Sequence, residues 1–200
     1  MLKRKAYDRL LEWKKNRNGK TALLIEGARR VGKSTLVEEF GRNEYASCLI
    51  VDFFQAPAEV RQYFEDYRTD FDTLFLYLST YYGVDLHERD TLIVFDEVQM
   101  FPTARGLLKY LVADGRYDYI ETGSLLSIKQ NVDGIVVPSE EESFELNPLD
   151  FEEFLWGMGE EKLVTLIRRQ FDSLKPLPDG LHRRAMGLLR EYILVGGMPG

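Results

Sequence analysis

The chain contains one cysteine, Cys48, and two histidines, His87 and His182, among 200 residues. One cysteine cannot form an internal disulfide, which favours a reducing compartment, and Cys48 lies in an apolar run that is typical of a core position. Two isolated histidines and a single cysteine cannot supply the ligand cluster of a zinc site. The composition therefore excludes proteins that depend on disulfides or on structural zinc.

Long apolar runs are also missing, since no stretch of about 18 apolar residues occurs. Residues 1–5 are basic and lead into an amphipathic pattern rather than into the hydrophobic core of a signal peptide. We therefore expect a cytoplasmic protein that neither spans a membrane nor is secreted.

Positive charge is scarce, because 26 Lys and Arg face 33 Asp and Glu and leave a formal net charge of -7. This balance argues against a surface that holds nucleic acid by charge alone, although it leaves room for a local basic patch. With 44% hydrophobic residues, the chain can still bury the core of an ordinary globular domain.

Short apolar runs alternate with helical patterns along most of the chain. Apolar runs typical of buried strands occur at residues 21–25, 48–52, 92–95 and 117–122. Helical spacing occurs around Tyr7, Leu10 and Leu11, and then at residues 34–40, 71–82 and 105–113. Repeated strand–helix–strand units predict an α/β fold, in which helices cover both faces of a parallel sheet.

The pattern changes after residue 138. We interpret the acidic residues 140–142 as a solvated loop, residues 143–146 as a possible last strand, and Phe151, Phe154 and Leu155 as an apolar helix face. Two further helical patterns follow, joined by the breaker-rich residues 175–180. We predict a core at 1–156 and, at 157–200, the start of a helical lid.

Residues 27–34 match the pattern G-x-x-x-x-G-K-[ST] between a predicted strand and a predicted helix, as a phosphate-binding loop requires. Its glycines allow a tight loop whose amides point inward, and the following helix adds partial positive charge. We assign Lys33 to the β- and γ-phosphates, the Ser34 hydroxyl to Mg²⁺ and Thr35 to the α-phosphate. The predicted nucleotide-binding residues are Gly27, Ala28, Arg29, Arg30, Val31, Gly32, Lys33, Ser34 and Thr35.

A second element follows the apolar strand 92–95, which ends in Asp96 and Glu97. Asp96 suits the shell of a Mg²⁺ ion, and Glu97 can polarise an attacking water. The pattern is that of a Walker B strand. A strand that ends in two carboxylates can also be only a helix cap, but the phosphate-binding loop favours catalysis.

Residues 121–124 end the next strand in hydroxyl side chains. Thr122 or Ser124 could sense the γ-phosphate and orient the water, whereas a plain turn is the alternative. Lys33, Glu97, Thr122 and Ser124 form the predicted catalytic set. Arg29 and Arg30 receive no catalytic role, and for Arg105 a surface position is favoured over an arginine finger directed at another subunit.

These motifs, together with the Pro-Leu-Asp-Phe-Glu-Glu-Phe run at 148–154 and the Gly-Gly-Met-Pro run at 196–199, resemble those of prokaryotic AAA-domain P-loop ATPases. The resemblance spans nearly the whole chain and implies a cytoplasmic ATPase core of the ASCE type. In that type, the catalytic-carboxylate strand lies between the P-loop strand and its sequence neighbour.

Members of that family typically continue into a C-terminal domain of uncharacterised function, so the resemblance implies that a chain ending at Gly200 is a fragment. Many relatives also carry a glycine–arginine pair before the Pro-Leu-Asp-Phe run, whereas this chain has Gly134 and Ile135 there. Any role of that arginine cannot be transferred to this chain.

The leading functional hypothesis is an ATP-driven switch with ATP and Mg²⁺ as cofactors, whose partner is a missing domain, a protein or nucleic acid. GTP is disfavoured, because no Asn-Lys-x-Asp or Thr-Lys-x-Asp segment occurs. One alternative is a phosphotransferase with basic lid residues, namely Arg168, Arg169, Arg183 and Arg184. The other is a regulatory or nucleic-acid-associated module that holds ATP with little hydrolysis.

Overall fold

The computed structural model describes residues 2–124 and 141–199. Within these ranges, five parallel strands form one sheet in the order β2-β3-β4-β1-β5. The strands are β1 (Ala22–Gly27), β2 (Ser47–Asp52), β3 (Thr91–Asp96), β4 (Asp118–Ser124) and β5 (Glu141–Leu146). All their carboxyl ends meet at one edge, which is where ligands bind in open α/β sheets.

Helices cover both faces of the sheet, as the sequence predicts. The described helices are α1 (Ala6–Arg17), α2 (Lys33–Glu44), α3 (Ala58–Asp66), α4 (Phe71–Tyr82), α5 (Pro102–Asp114), α6 (Phe151–Gly157), α7 (Glu161–Asp172) and α8 (Asp179–Val195). Helices α1 and α2 pack on one face through Leu10 and Phe40. Helices α3, α4 and α5 pack on the other face, around Phe53 and Phe64. The α/β fold with a doubly covered parallel sheet is confirmed.

The strand order refines the sequence prediction. Strand β3, which carries Asp96, lies between β1 and β2 as expected, but β4 also lies between them. The direct neighbours of β1 are therefore β4 and β5, with Leu23 paired to Ile120 and to Glu142. This order brings the phosphate-binding loop next to the hydroxyl-bearing end of β4.

One prediction from the sequence was wrong, and one helix was missed. Glu141 and Glu142 are not in a solvated loop but form the first residues of β5, and the Glu141 side chain is nearly fully buried. Helix α3 was not predicted, because its nine residues contain only two fully buried apolar side chains, Val60 and Phe64, and give a weak periodic signal. The departure at Gly134 and Ile135 lies outside the described residues.

Helices α6, α7 and α8 pack on one another beyond the sheet. Phe151 and Phe154 of α6 contact the Tyr192 ring of α8, with centroid distances of 5.7 and 5.4 Å. Helix α7 buries only Leu163 and Val164, and α8 buries only Ala185. This thin core is typical of an element that can move relative to the sheet.

Candidate functional site

The predicted phosphate-binding loop connects the carboxyl end of β1 to the start of α2. Gly32 has φ 94° and immediately precedes α2, so the loop reaches the helix through a backbone conformation that favours glycine. A Cβ on Gly27 would lie 2.4 Å from the Leu146 carbonyl oxygen. Both glycines are therefore required by the backbone path, as the motif predicts.

The Lys33 ammonium folds back over this loop. Its Nζ donates hydrogen bonds of 3.0 Å to the carbonyl oxygens of both Gly27 and Ala28. Burial lowers the pKa of Lys33, while the negative charges of Glu97 and Asp96 oppose that shift. The loop thus holds a buried ammonium that is attracted by the predicted general base, Glu97, and by the predicted metal ligand, Asp96.

Asp96 and Thr122 meet where β3 and β4 end. The Thr122 hydroxyl donates to Oδ1 of Asp96, and both side chains are buried. The amide of Glu97 also donates to Asp96 Oδ1 at 3.1 Å and to Thr122 Oγ1 at 3.3 Å. This small network fixes the Asp96 carboxylate at the carboxyl edge of the sheet.

Glu97 has an unusual backbone conformation. Its φ of 53° and ψ of 45° lie in the left-handed region, which costs about 1–3 kcal/mol for a residue other than glycine. The Gln99 side chain donates to Oε2 of Glu97 and so orients its carboxylate. Strain of this kind is concentrated at functional sites, and Arg30, with φ 64°, shares it.

A cavity of about 590 Å³ lies in front of these groups. Its lining includes the predicted residues Arg30, Gly32, Lys33, Ser34, Thr35 and Glu97, together with Leu2, Arg4, Leu36 and Pro199, which the sequence did not point to. Among the described residues, neither Thr122 nor Ser124 is in the lining, since both are buried at the end of β4. The volume is that of a small-molecule site.

Arg4 connects the phosphate-binding loop to the segment after β5. Its guanidinium donates to the carbonyl of Val31 at 3.0 Å, to the carbonyl of Asn147 at 2.6 Å and to Oε1 of Glu153 at 3.2 Å. Arg4 and Glu153 are both nearly fully buried, so this ion pair is shielded from water. Sequence reasoning missed Arg4, which stands among other basic residues at 3–5 and is distinguished only by its burial.

The Pro-Leu-Asp-Phe-Glu-Glu-Phe run has a structural role at this site. Asp150 and Glu153 form a reciprocal capping box at the start of α6. Glu153 also accepts a 2.7 Å hydrogen bond from the backbone amide of Lys5. The run therefore fixes the N-terminal segment against the phosphate-binding loop.

The Gly-Gly-Met-Pro run packs against the same element. The Leu149 amide donates to the Gly197 carbonyl at 2.7 Å, and the Tyr192 hydroxyl donates to the Leu149 carbonyl at 2.8 Å. A Cβ on Gly197 would lie 2.2 Å from that carbonyl oxygen, so only glycine fits without displacement. This contact brings Pro199 to the lining of the cavity.

Arg105 is not the surface residue that the sequence favoured. It is almost fully buried and forms an ion pair with Glu141 at 2.9 Å, and its Nε lies 3.7 Å from Oε2 of Glu121. Burial, followed by the negative charge of Glu141, raises the pKa of Glu121 well above its ordinary range. Arg105 therefore belongs to the interior of this chain and is not available as a finger for another subunit.

A glycine-rich loop between β1 and α2, a carboxylate after β3, and the order β2-β3-β4-β1-β5 together define a P-loop nucleotide-binding protein of the ASCE class. The family model described as "AAA domain" matches residues 19–155. The chain belongs to this AAA-domain family, and the AAA-domain part of the resemblance seen in its sequence is confirmed. Nucleotide binding is the property that the family supports.

Two solved structures of proteins from Aeropyrum pernix share the fold. The ORC1 protein in complex with DNA matches at 15% identity with a TM-score of 0.50, over 80% of this chain and 50% of that one. The ORC2 protein in its ADP form matches at 16% identity with a TM-score of 0.50, over 85% and 52%. This chain thus spans about half the length of each. A comparison with curated proteins found no match.

None of the helices in the described ranges combines the length and apolar character that crossing a membrane requires. The longest described helix, α8, carries a polar first half that contains His182, Arg183 and Arg184.

Proposed function

We propose that this protein binds ATP with Mg²⁺ and hydrolyses it, acting as a nucleotide-driven switch. The observation that carries the proposal is the single cavity that Lys33, Ser34, Thr35 and Glu97 line together. A phosphate-binding loop and a carboxylate that line the same cavity are what hydrolysis of a phosphoanhydride needs.

The loop residues would bind the phosphates. Lys33 exchanges its two backbone carbonyl partners, on Gly27 and Ala28, for β- and γ-phosphate oxygens, which are stronger acceptors because they are charged. The amides at the start of α2 and the dipole of that helix add to the attraction. Ser34 and Thr35 are exposed and face the same cavity, so their hydroxyls are accessible to ligand.

The donor set fits Mg²⁺. Asp96 and Ser34 supply hard oxygen atoms, and a magnesium ion typically takes only one or two protein ligands in addition to water and phosphate oxygens. When bound, Mg²⁺ would neutralise charge on the phosphates. Thr122 donates a hydrogen bond to Asp96 and would position that carboxylate, whether or not it also senses the γ-phosphate.

Glu97 would act as the general base. Its carboxylate lines the cavity and is oriented by Gln99, while its amide is anchored to Asp96 and Thr122. A carboxylate in this position can accept a proton from a water that attacks the γ-phosphate. Thr122 or Ser124 remains the proposed γ-phosphate sensor.

The switch would act through the C-terminal segment. Pro199 lines the cavity, and Gly197 and Tyr192 bond to Leu149 beside α6. A nucleotide that fills the cavity would therefore contact a segment anchored to α8, and its loss would release that contact. We also propose a core at 1–156 and a helical segment at 157–200. The partner of the switch would be a further C-terminal domain, a protein or nucleic acid. We propose a cytoplasmic location.

The lid arginines give little support to a phosphotransferase. Arg168 is paired with Glu152 of α6, and Arg184 is paired with Glu160 before α7, so two of the four basic residues considered for an acceptor site already have carboxylate partners. Hydrolysis without an added acceptor would distinguish the ATPase from the kinase.

The test is Mg²⁺-dependent release of phosphate from ATP by the purified chain. Lys33→Ala should abolish ATP binding, and Glu97→Gln should keep binding but lower turnover by at least about a hundredfold. Lys109→Ala and Glu12→Gln remove the same charges at exposed positions and should change neither quantity. Equal turnover by Glu97→Gln and the parent would overturn the assignment of Glu97, and binding without turnover in the parent would leave an ATP-binding module.

A further inference from the structure

Four tyrosines of α3, α4 and the residue after α3 meet at the surface, where Tyr77 and Tyr81 are exposed and Tyr63 and Tyr67 are half-buried against the core. The ring of Tyr77 lies 5.2 Å from that of Tyr63 and 5.2 Å from that of Tyr67. Beside them, Leu76 is 61% exposed and Tyr81 is 46% exposed. We call these five residues the tyrosine face. Clustered exposed rings differ from the scattered apolar residues of an ordinary surface, and tyrosine is enriched in protein interfaces.

Carboxylates surround the tyrosine face without a basic partner. Glu59 accepts a 2.7 Å hydrogen bond from the Tyr63 hydroxyl, Asp66 accepts one of 2.7 Å from Gln62, and Asp70 caps the start of α4. Within the described residues, none of these three carboxylates is in an ion pair. Ion pairs within the described residues therefore leave these three carboxylates without a cationic partner.

The two arginines of the region already have partners, and Arg116, from outside the region, pairs with its Asp72. Arg68 pairs with Glu65, and Arg61 donates to the Phe53 carbonyl while lying over the Phe101 ring. Residues 58–82 hold five carboxylates against two arginines and no lysine, which leaves a net charge of −3. A phosphate backbone would be repelled here, so the surface is unsuited to nucleic acid.

We propose that the tyrosine face docks an arginine-bearing segment of a partner protein. A guanidinium is the group that satisfies both features at once, because it stacks on tyrosine rings and pairs with carboxylates through a planar set of donors. Lysine offers a point charge and stacks less well, so arginine is preferred. The surface lies on α3 and α4, away from the cavity-lining residues, and this proposal does not depend on ATP hydrolysis.

The test uses a labelled 12-residue peptide that alternates arginine and serine, with fluorescence anisotropy as the readout. The lysine–serine and glutamate–serine peptides and a 20-base-pair DNA duplex serve as comparison ligands. The protein variants are Tyr77→Ala, Tyr77→Phe and the triple Glu59→Gln, Asp66→Asn, Asp70→Asn. The matched control replaces Glu12, Glu145 and Glu191, three exposed carboxylates elsewhere, by glutamine.

We expect Tyr77→Ala and the triple variant of the face to weaken binding of the arginine peptide by at least about tenfold. Tyr77→Phe keeps the ring, and the control triple keeps the face, so each should change affinity by less than about threefold. The lysine peptide should bind more weakly than the arginine peptide.

Three results would overturn the proposal: no binding of the arginine peptide, equal loss in the control triple, or DNA binding that depends on Tyr77. Without binding of the peptide, the arginine-bearing segment is excluded as the occupant. Equal loss in the control triple would show that net charge alone attracts the peptide. DNA binding that depends on Tyr77 would show a nucleic-acid surface. Thermal melts of every variant report folding, and the triple variant of the face still tests the site if Tyr77→Ala proves unstable.

Discussion

The Oγ1 of Thr122, at the carboxyl end of β4, donates a hydrogen bond to the Oδ1 of Asp96, at the carboxyl end of β3. The two strands are neighbours in the sheet, and the Glu97 amide donates to both of these oxygen atoms. The contact ties the predicted metal-binding carboxylate to one of the two predicted sensor hydroxyls, and it gives Thr122 and Ser124 different expected roles.

Replacing Thr122 by valine keeps the volume but removes the hydroxyl that donates to Asp96. We expect Thr122→Val to lower ATP turnover by about tenfold or more and to raise the Mg²⁺ concentration needed for half-maximal rate, because the carboxylate loses its donor. Thr122→Ser should restore most of the rate, and Ser124→Ala should change it by less than about threefold. Steady-state phosphate release over a Mg²⁺ titration measures all three. A larger loss in Ser124→Ala than in Thr122→Val would assign the dominant hydroxyl to Ser124.

Arg4→Ala should loosen the phosphate-binding loop, since the Val31 carbonyl would lose its donor and Glu153 its buried cation. We expect the free energy of unfolding to fall by about 3 kcal/mol and ATP to bind about tenfold more weakly. Thermal denaturation and nucleotide titration measure the two effects.

The Arg4 prediction has two controls. Lys3→Ala removes a neighbouring exposed charge and should leave both quantities nearly unchanged. A double-mutant cycle with Glu153→Gln should give a coupling energy of at least about 1 kcal/mol. Strict additivity would mean that Arg4 acts through its carbonyl contacts alone.

Gly197→Ala should displace the C-terminal segment from Leu149, because the added Cβ would lie 2.2 Å from a backbone oxygen that cannot rotate away. We expect weaker nucleotide binding and faster proteolysis within α8. Gly187→Ala is the matched control: its Cβ would meet no atom within 4 Å, and the change should stabilise α8 by about 1 kcal/mol. If both substitutions raise the melting temperature, the contact between Gly197 and Leu149 does not hold the segment.

Glu121 gives a prediction about pH. Burial, and then the charge of Glu141, raises its pKa in the folded state well above the ordinary value of 4.5. The folded chain therefore keeps this proton while the unfolded chain releases it, and stability is lost as the pH rises above about 4.5. Glu121→Gln mimics the protonated form and should remove this loss, so the variant should gain stability relative to the parent between pH 5 and pH 8 in urea titrations. A destabilised variant at pH 7 would indicate an ionised Glu121 paired with Arg105.

Local chemistry explains which parts of the structure could be read from the sequence. Helix α4 begins and ends where predicted, since Asp70 caps it and Gly83 ends it, and the glycine-rich loop is specified by its own residues. The predicted roles of the site residues remain predictions, although Lys33, Ser34 and Glu97 do line one cavity.

Contacts between distant segments explain what the sequence did not reveal. In the sequence, nothing distinguishes Glu141 from Glu140 and Glu142, and its role is seen only when Arg105, 36 positions earlier, is brought next to it. Arg4 gains its significance from Glu153, which is 149 positions away. Propensity and periodicity describe neighbours along the chain, so pairings of this kind have no local signature.

The strand order also has a consequence for synthesis of the chain. Strand β1 comes first, but Leu23 pairs with Ile120 on one side and Glu142 on the other. Until the ribosome has made β4, β1 has no partner in the sheet, and the phosphate-binding loop that follows β1 lacks its neighbouring strand. We therefore expect β2 and β3 to pair earlier during translation, and the ability to capture nucleotide to arise only after most of this chain has emerged.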